Sequence, residues 1–286
     1  MPSTTKVTVD IKLDELGYGL HVMPDGSEVY FDEQKHIYTL MNDKTGKPTI
    51  RIPGVSTVAS AFPDRPDGLM YWAESQTIEG ILTLLAMEER QYIPVNVDGL
   101  RKLLDDRGLR YCNERDRAAS RGTAIHKQIL EALATEKEVP DLECLAPDER
   151  GYGQAVMKFW LDHSPTVIHA ERVTFCQLAN CAGKFDLLAK IDDEVLLIDA
   201  KTSNKVRARD HVQIEGYEFL NRYCGLGQSH RRVLLHLSPY GTYELIESEA
   251  CADDFMAALN AYERKKTLDR ALYAAEKERT KNADKD

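Results

Sequence analysis

Three apolar segments in succession constrain the fold of this chain more than any other feature of its sequence. The segments read HAERVTFCQ, GKFDLLAKI and EVLLIDAKT, and apolar, β-branched and aromatic residues dominate them. This composition is typical of strands. Only Asp192 and Asp193 separate the second segment from the third, which predicts a hairpin with a two-residue turn. Since apolar residues lie on both faces of both strands, we expect this hairpin at the buried centre of a sheet.

Each strand of the hairpin carries a carboxylate inside its apolar run, Asp186 in the first strand and Asp199 in the second. With a two-residue turn, Ile191 pairs with Glu194, and the same register places Asp186 directly opposite Asp199. Lys201 follows Asp199 by two residues and therefore shares its face of the strand. A three-residue turn would shift the register by one residue and break this arrangement.

Two facing carboxylates repel each other, so their position inside a sheet requires an explanation. A cation between them removes the repulsion, and oxygen ligands favour Mg²⁺ or Mn²⁺. Lys201 is placed to hold or deprotonate a water, or to offset the charge of a phosphate. The alternative is that both carboxylates are solvated on an exposed face.

Helical and strand-like patterns surround the three segments and predict an α/β or α+β fold. We expect a central mixed β-sheet flanked by helices. A polar DEQK turn predicts a hairpin over residues 28–40, and a Pro-Tyr-Gly turn separates two later strands, 231–238 and 242–248. Helices are predicted over about 69–89, 97–119, 121–134, 147–163 and 209–223 and from about 253, with a frayed tail from 276.

Charge and cysteine content limit the class of protein. The 286 residues carry a formal net charge of −10, so contact with nucleic acid requires a local basic patch. We expect neither a signal peptide nor a membrane span, since no basic segment precedes an apolar one at the start and no apolar run is long enough. The six cysteines form no Cys-x-x-Cys pair, which favours free thiols in a reducing cytoplasm.

Five short motifs occur in a fixed order along a helix, three strands and a second helix. They are Gly-x-x-x-His in RGTAIHK, Glu171 in HAERV, Gly-x-x-Asp in AGKFD, Asp-x-Lys in IDAK and Gln-x-x-x-Tyr in QIEGY. Each motif alone is weak, but the ordered set resembles the PD-(D/E)XK nuclease superfamily in its RecB-like exonuclease branch. The front end, HIYTL and IPGVSTVAS, resembles phage-type members. The resemblance covers about residues 28–250, with its motif core from Gly122 to Tyr217.

The resemblance implies a restriction-endonuclease-like core with a site for one or two Mg²⁺ or Mn²⁺ ions. Its pattern assigns metal ligation to four groups: His126, Asp186, Asp199 and the backbone carbonyl of Ala200. Glu171, on the first strand, would join through a water.

The resemblance also assigns roles around the metal. Lys201 would orient or activate the attacking water, and Gln213 and Tyr217 would order the site and touch DNA. Some relatives hold an iron–sulfur cluster with a C-terminal cysteine group. Cys224 and Cys251 do not match that group, so we expect no cluster.

Helical spacing supports two parts of this assignment independently. His126 adjoins the apolar stripe of Ile125 and Ile129 and is expected to point inward, although an inward histidine is by itself more often a satisfied core residue. Gln213 and Tyr217 lie four residues apart and share a helix face. The alternative for this pair is a surface amide and a packing residue.

Basic residues cluster where a phosphate backbone would need them. We predict DNA contacts from five of them, with Arg115 and Arg117 close by: Arg121, Lys127, Lys205, Arg207 and Arg209. The alternative is a solvated charged face. Tyr71, Trp72 and Trp160 are of the type that stacks on bases, but burial is expected for both tryptophans.

The sequence therefore predicts a metal-dependent DNA exonuclease that acts in recombination, repair or replication. We expect one nuclease domain over 1–286, with an N-terminal hairpin and helices over 1–120, the catalytic core over 121–250, and a C-terminal helix and charged tail over 251–286. Its expected partners are linear or single-stranded DNA ends and recombination or replication proteins, in the cytoplasm of a bacterial or phage-infected cell. The alternatives are a structure-specific or nicking endonuclease on the same core, and a non-catalytic module that binds DNA ends or single strands.

Overall fold

Two β-sheets and the helices around them form a mixed α/β fold. The computed structural model describes residues 12–13, 19–62, 66–87, 93–94, 96–135 and 139–283. The predicted central mixed sheet flanked by helices is confirmed, and an antiparallel sheet precedes it in the chain.

The N-terminal sheet is a meander in which each strand pairs antiparallel with the next. Its strands are β1 (Lys12–Leu13), β2 (Gly19–Val22), β3 (Glu28–Asp32), β4 (Ile37–Asn42) and β5 (Lys47–Ile52). The hairpin predicted over residues 28–40 is confirmed as β3 and β4. The other strands were not predicted; in β5, for example, only Pro48 and Ile52 are buried, so its sequence does not alternate.

The central sheet has the strand order β10-β9-β8-β7-β6. Its strands are β6 (Thr166–Cys176), β7 (Cys181–Ile191), β8 (Glu194–Lys201), β9 (Arg231–Leu237) and β10 (Tyr243–Glu247). Neighbours pair antiparallel except β8 and β9, which are parallel because helix α7 (Ala208–Tyr223) carries the chain back between them. All five strands were predicted.

The hairpin of β7 and β8 has the predicted two-residue turn and register. Its pairs run from Ile191 with Glu194 to Leu187 with Ile198. Asp192 in the turn has φ 53°, a left-handed conformation that Asp tolerates better than most residues. The ladder ends one position before Asp186 and Asp199.

All predicted helical regions are present, and three details of the prediction are wrong. The helices are α1 (Val55–Ala59), α2 (Pro66–Ala86), α3 (Val97–Asp106), α4 (Tyr111–Ala124), α5 (Glu131–Thr135), α6 (Arg150–His163), α7 and α8 (Ala252–Ala283). A single helix over 97–119 is wrong because Gly108, at φ 65°, separates α3 from α4. A new helix starting at 121 is also wrong, because α4 continues past that residue and leads directly into the helical segment 125–135. The frayed tail is wrong as far as Ala283, since α8 continues to that residue; the predicted end near residue 89 lies outside the described residues. No helix of the described chain has the length and apolar content to cross a bilayer.

Apolar clusters cover both faces of the central sheet. One contains Leu187 and Ile198 with residues of α6 and of the helical segment around Ile129. The other contains Leu188 and Leu197 with residues of α1, α7 and α8. This double burial explains the continuous apolar character of β7 and β8, and it places Asp186 and Asp199 in a largely water-free environment.

A glycine in β7 permits close packing of α1 and α7 on the sheet. A Cβ atom at Gly183 would lie 2.9 Å from Val55 Cγ2 and 2.9 Å from Tyr217 Cε1. We expect Gly183→Ala to lower the free energy of unfolding by about 1–3 kcal/mol because the added methyl overpacks this contact. Urea unfolding checks this result. Gly122→Ala is the control: its Cβ would meet only Thr202 Oγ1, at 3.6 Å, so this helical substitution is expected to be neutral or stabilising by up to about 1 kcal/mol. Equal destabilisation by both variants would contradict the packing account.

Candidate metal centre

Polar side chains from three adjacent strands and two helical segments meet where the β7–β8 ladder ends, midway along the β6–β7 ladder. They are His126, Glu171, Asp186, Asp199, Lys201, Gln213 and Tyr217. Residues predicted from separate motifs are thus brought together by the fold. Asp186, Asp199 and Tyr217 are buried, and the other four side chains are partly exposed.

Three of these residues are close enough to bind one metal ion. A ligand atom from each of His126, Glu171 and Asp186 lies within 4.8 Å of the other two. The His126 Nδ1 atom is 3.1 Å from Asp186 Oδ1 and 3.9 Å from Glu171 Oε1. Glu171 Oε1 is buried and has no hydrogen-bond partner among the described residues, so the group contains an unsatisfied acceptor where a cation would bind. Two carboxylates and one imidazole suit Mg²⁺ or Mn²⁺.

Two local irregularities position these ligands. The helix that carries His126 widens into a π-helical segment, Ile125–Leu130, between α4 and α5. Such π-turns often occur at functional sites. In β6, Glu171 has φ 47°, and the pairs of Ala170 with Leu187 and of Arg172 with Phe185 put it opposite Asp186. A left-handed glutamate within a strand is strained, and burial against β7 maintains it.

His126 occupies the centre of the group as a cation in the metal-free protein. Its Nε2 atom lies 3.1 Å from the Ala200 carbonyl oxygen, to which it donates, while Nδ1 faces Asp186. Burial would lower the pKa of this imidazole, but the charge of Asp186 and the hydrogen bond to it raise the pKa of His126 to about 9. The imidazolium therefore offsets the carboxylates, and a metal ion that binds here must displace its proton.

The pKa values of the two ligand carboxylates are shifted in opposite directions. Burial raises the pKa of Asp186, but His126 and the Ala200 N–H, which donates to Oδ2 at 2.7 Å, bring it below its ordinary value. Burial and the charge of Asp186 raise the pKa of Glu171 to about 7, against the opposing charge of Lys184. Asp186 is thus the ionised anchor of the group, and Glu171 exchanges a proton near neutral pH.

A second chain of contacts begins at Asp199. Lys201 Nζ lies 2.6 Å from Asp199 Oδ2 and donates to Gln213 Oε1 at 3.0 Å. Gln213 Nε2 in turn donates to the hydroxyl of Tyr217 at 2.8 Å. The predicted helix face of Gln213 and Tyr217 is thereby confirmed, and its contact with Lys201 orients the ammonium group.

Asp199 is arranged differently from the ligand set that the resemblance implied. It pairs with Lys201 and is not part of the group of three, whereas Glu171 is a member. Burial raises the pKa of Asp199 to about 6, although Lys201 opposes this. Burial disfavours the charge of Lys201, but Asp199 and Asp210 raise the pKa of Lys201 above its ordinary value. In the metal-free protein Lys201 is therefore an ammonium ion suited to hold a water or a phosphate oxygen.

The alternative of two solvated aspartates is wrong, because Asp186 and Asp199 are 6% and 2% exposed. Direct pairing of Asp186 with Asp199 was predicted, but the β7–β8 ladder ends one position earlier, at the pair of Leu187 and Ile198. At that point Asp186 Oδ2 accepts from the Ala200 N–H, so the carboxylate takes up a backbone donor of β8.

Lys184 is a part of the centre that the motifs did not reveal. Its Nζ atom lies 2.6 Å from Glu171 Oε2, and both side chains are largely buried. The residue stands inside the AGKFD motif, but its relation to Glu171 depends on the β6–β7 register, which a four-residue connection leaves open from sequence alone. Lys184 holds one oxygen of Glu171 and leaves Oε1 directed at His126.

We expect Lys184→Gln to weaken Mn²⁺ binding by about tenfold, because a residue that orients a metal ligand typically contributes 10–100-fold to affinity. Lys184→Arg, which keeps the ion pair, should bind nearly as tightly as the wild type. Isothermal titration measures both. Lys190→Gln removes a half-exposed lysine from the same strand and is the control. Binding by Lys184→Gln as tight as that of the wild type would show that Glu171 needs no such partner.

The basic residues predicted to bind DNA divide into two sets. Arg207 and Arg209 line a cleft of about 240 Å³ together with His126, Lys201 and Thr202. Lys205 is exposed nearby. The other basic residues do not line this cleft: the Arg121 guanidinium lies 4.9 Å from the centre of the Tyr152 ring, Lys127 is 3.9 Å from Glu33, Arg115 pairs with Asp116, and Arg117 pairs with Glu114.

The three aromatic residues of the type that stacks on bases, Tyr71, Trp72 and Trp160, do not line this cleft. Trp72 and Trp160 are half-buried and contact Tyr111 and Phe159 edge-on, so their expected burial is partial. Tyr71 is 73% exposed.

Comparisons with known proteins leave the family open. No family model matches the chain, and no curated protein matches it. The solved structures include a similar chain described as "Crystal structure of SSO0001", with 12% sequence identity and a TM-score of 0.28 over 70% of this chain and 85% of that one. A likeness at this TM-score bears on neither fold nor function.

Proposed function

We propose that this protein is a Mg²⁺- or Mn²⁺-dependent deoxyribonuclease that hydrolyses phosphodiester bonds as an exonuclease. The observation that carries this proposal is the buried group of His126, Glu171 and Asp186 beside the ammonium of Lys201. A metal site next to a buried, oriented cation serves the hydrolysis of an anionic ester. The order of the motifs, with its resemblance to the RecB-like branch of the PD-(D/E)XK nucleases, supports the same proposal.

The metal ion would be held by Asp186 Oδ1, Glu171 Oε1 and, after loss of its proton, His126 Nδ1. A bound ion supplies Lewis acidity and lowers the pKa of a coordinated water. Lys201, fixed by Asp199 and Gln213, would position the attacking water or neutralise a phosphate oxygen. Asp199 thereby acts on the reaction through Lys201.

The substrate backbone would enter through the cleft that Arg207 and Arg209 line. This cleft reaches His126 and Lys201, so a phosphate held by the arginines lies beside the metal group. The overall net charge of −10 repels DNA, so binding requires a local surface of positive charge, which Arg207 and Arg209 provide.

The sheet supports a restriction-endonuclease-like core as the finer description of the fold. Three antiparallel strands, β6 to β8, carry the acidic residues, and α7 then leads to the parallel strand β9. We propose that this arrangement is the catalytic core of one nuclease domain.

Labelled DNA distinguishes the proposed exonuclease from its alternatives. With Mn²⁺ we expect progressive release of nucleotides from linear DNA and no cutting of closed circular DNA. Cutting of the circle would indicate an endonuclease on the same core. Binding of DNA in EDTA without any products in Mn²⁺ would indicate a non-catalytic binding module and overturn the proposal.

A further inference from the structure

A second groove lies between α1 and the middle of α8. It has a volume of about 530 Å³ and is lined on one side by Thr57, Ser60 and Ala61. The opposite wall is the face of α8 that carries Tyr262, Lys265, Lys266, Asp269, Arg270 and Tyr273. None of the five sequence motifs falls in this groove.

The α8 wall concentrates positive charge. Lys265, Lys266 and Arg270 face one carboxylate, Asp269, in a chain whose formal net charge is −10. Lys266 is already engaged, since it lies 3.3 Å from Glu263 and 5.6 Å from the centre of the Tyr262 ring. Lys265 and Arg270 are exposed and have no ion-pair partner in the described part of the chain. An anionic ligand would supply the missing partners.

Two tyrosines add aromatic rings to the charged side chains of this wall. Tyr262 is half-buried at the inner end of the wall, and Tyr273 is 68% exposed, three helical turns further along the same face. Aromatic rings interleaved with cations along a groove are the arrangement that single-stranded nucleic acids use, because bases stack on the rings while phosphates meet the cations. An acidic peptide would use the cations but would have no need of an exposed ring.

The groove is connected to the candidate metal centre through α1. Val55 at the start of this helix contacts the Gly183–Tyr217 region, and Tyr217 belongs to the contact chain that ends at Lys201. Ser60, at the groove, follows five residues later, which is about 8 Å along the helix axis. The groove therefore lies at the end of α1 opposite to the residue that packs on Gly183.

We infer that the groove between α1 and α8 binds single-stranded nucleic acid. Lys265 and Arg270 bind its phosphates, and Tyr273 stacks on a base. Binding of a strand in the groove does not depend on the proposed nuclease function. That the bound strand is part of a substrate cleaved at the metal centre does rest on that function. The groove would hold the strand on the enzyme between successive cleavage steps.

Fluorescence anisotropy with a labelled oligo(dT) of about 20 nucleotides, measured in EDTA, tests this inference without any cleavage. The double variant Lys265→Gln/Arg270→Gln should weaken binding by about tenfold and reduce the slope of log K against log salt by about 1.4, or about 0.7 for each lost phosphate contact. Arg264→Gln/Arg279→Gln is the matched control, because it removes the same charge from exposed residues of α8 that do not line the groove. An equal loss of affinity in both double variants would show that only net charge matters and would overturn the inference.

A second pair of variants tests the stacking contact. Tyr273→Ala should weaken oligo(dT) binding by at least about fivefold, whereas Tyr273→Phe should retain it, because the ring and not the hydroxyl stacks. Unchanged binding by Tyr273→Ala, or competition by polyglutamate as strong as that by unlabelled oligo(dT), would assign the groove to another anion and reject it as a nucleic-acid site. Groove-dependent binding without Mn²⁺-dependent cleavage would refute the nuclease proposal alone, and cleavage with no groove dependence of binding would refute this inference alone.

Discussion

Asp186→Asn is expected to weaken Mn²⁺ binding by more than about 100-fold and to reduce DNA hydrolysis by about a thousandfold. Asp186 is the carboxylate that the centre keeps ionised, since its pKa is held below the ordinary value by His126 and by the Ala200 N–H. Asparagine preserves the shape of the side chain but removes the charge that a divalent cation needs. Isothermal titration with Mn²⁺ and release of label from linear DNA measure the two effects.

The control for this variant lies in the same hairpin. Asp193→Asn makes the same chemical change at the β7–β8 turn, where the carboxylate is fully exposed and pairs with Lys190. It should bind Mn²⁺ and hydrolyse DNA as the wild type does. Retention of Mn²⁺ affinity in Asp186→Asn would place the metal elsewhere and contradict the proposed centre.

Mn²⁺ affinity is expected to increase at least a hundredfold between pH 6 and pH 8. In the metal-free protein the pKa of His126 is raised to about 9 and that of Glu171 to about 7. At pH 6 both ligands hold protons that the metal must displace, whereas at pH 8 only His126 does. Titrations in two buffers of different ionisation enthalpy should detect proton release on binding, with more protons released at pH 6 than at pH 8.

The stabilisation of the fold by Mn²⁺ should also depend on pH, because the pKa of His126 is raised. Because the pKa of His126 is raised above its unfolded value of 6.5, its charge stabilises the metal-free fold fully below that value, and this contribution is lost as the pH rises through 9. The increase in Tm caused by Mn²⁺ should therefore grow from pH 6.5 to pH 9. Mn²⁺ affinity that is independent of pH across this range would contradict metal binding through His126.

The sequence was most informative where local rules determine geometry. The two-residue turn at Asp192 and Asp193 fixed the register of β7 and β8 because strand pairing has a period of two. The helix face shared by Gln213 and Tyr217 followed from the helical repeat. Both results depend only on neighbours in the chain, so they were accessible without the fold.

The features that were not predicted depend on contacts between distant segments. The different positions of Glu171, in the metal group, and Asp199, beside Lys201, depend on the left-handed backbone at Glu171 and on the two separate lysine pairs, Lys184 with Glu171 and Lys201 with Asp199. Lys184 reaches Glu171 through a register that a longer turn determines. The π-helical segment at Ile125–Leu130 has no clear sequence signal, because its apolar spacing is compatible with an ordinary α-helix.

Hydrolysis of end-labelled linear DNA in Mn²⁺, by the wild type and by Lys201→Ala, tests the central claim most directly. The wild type should degrade the DNA in Mn²⁺ and leave it intact in EDTA. Lys201→Ala should be slower by about 10²–10³-fold, since it removes an oriented electrostatic group, and Lys190→Ala should match the wild type. A wild type that leaves the DNA intact in Mn²⁺, or a Lys201→Ala variant that degrades it at the wild-type rate, would contradict the assignment of this centre as a metal-dependent nuclease site.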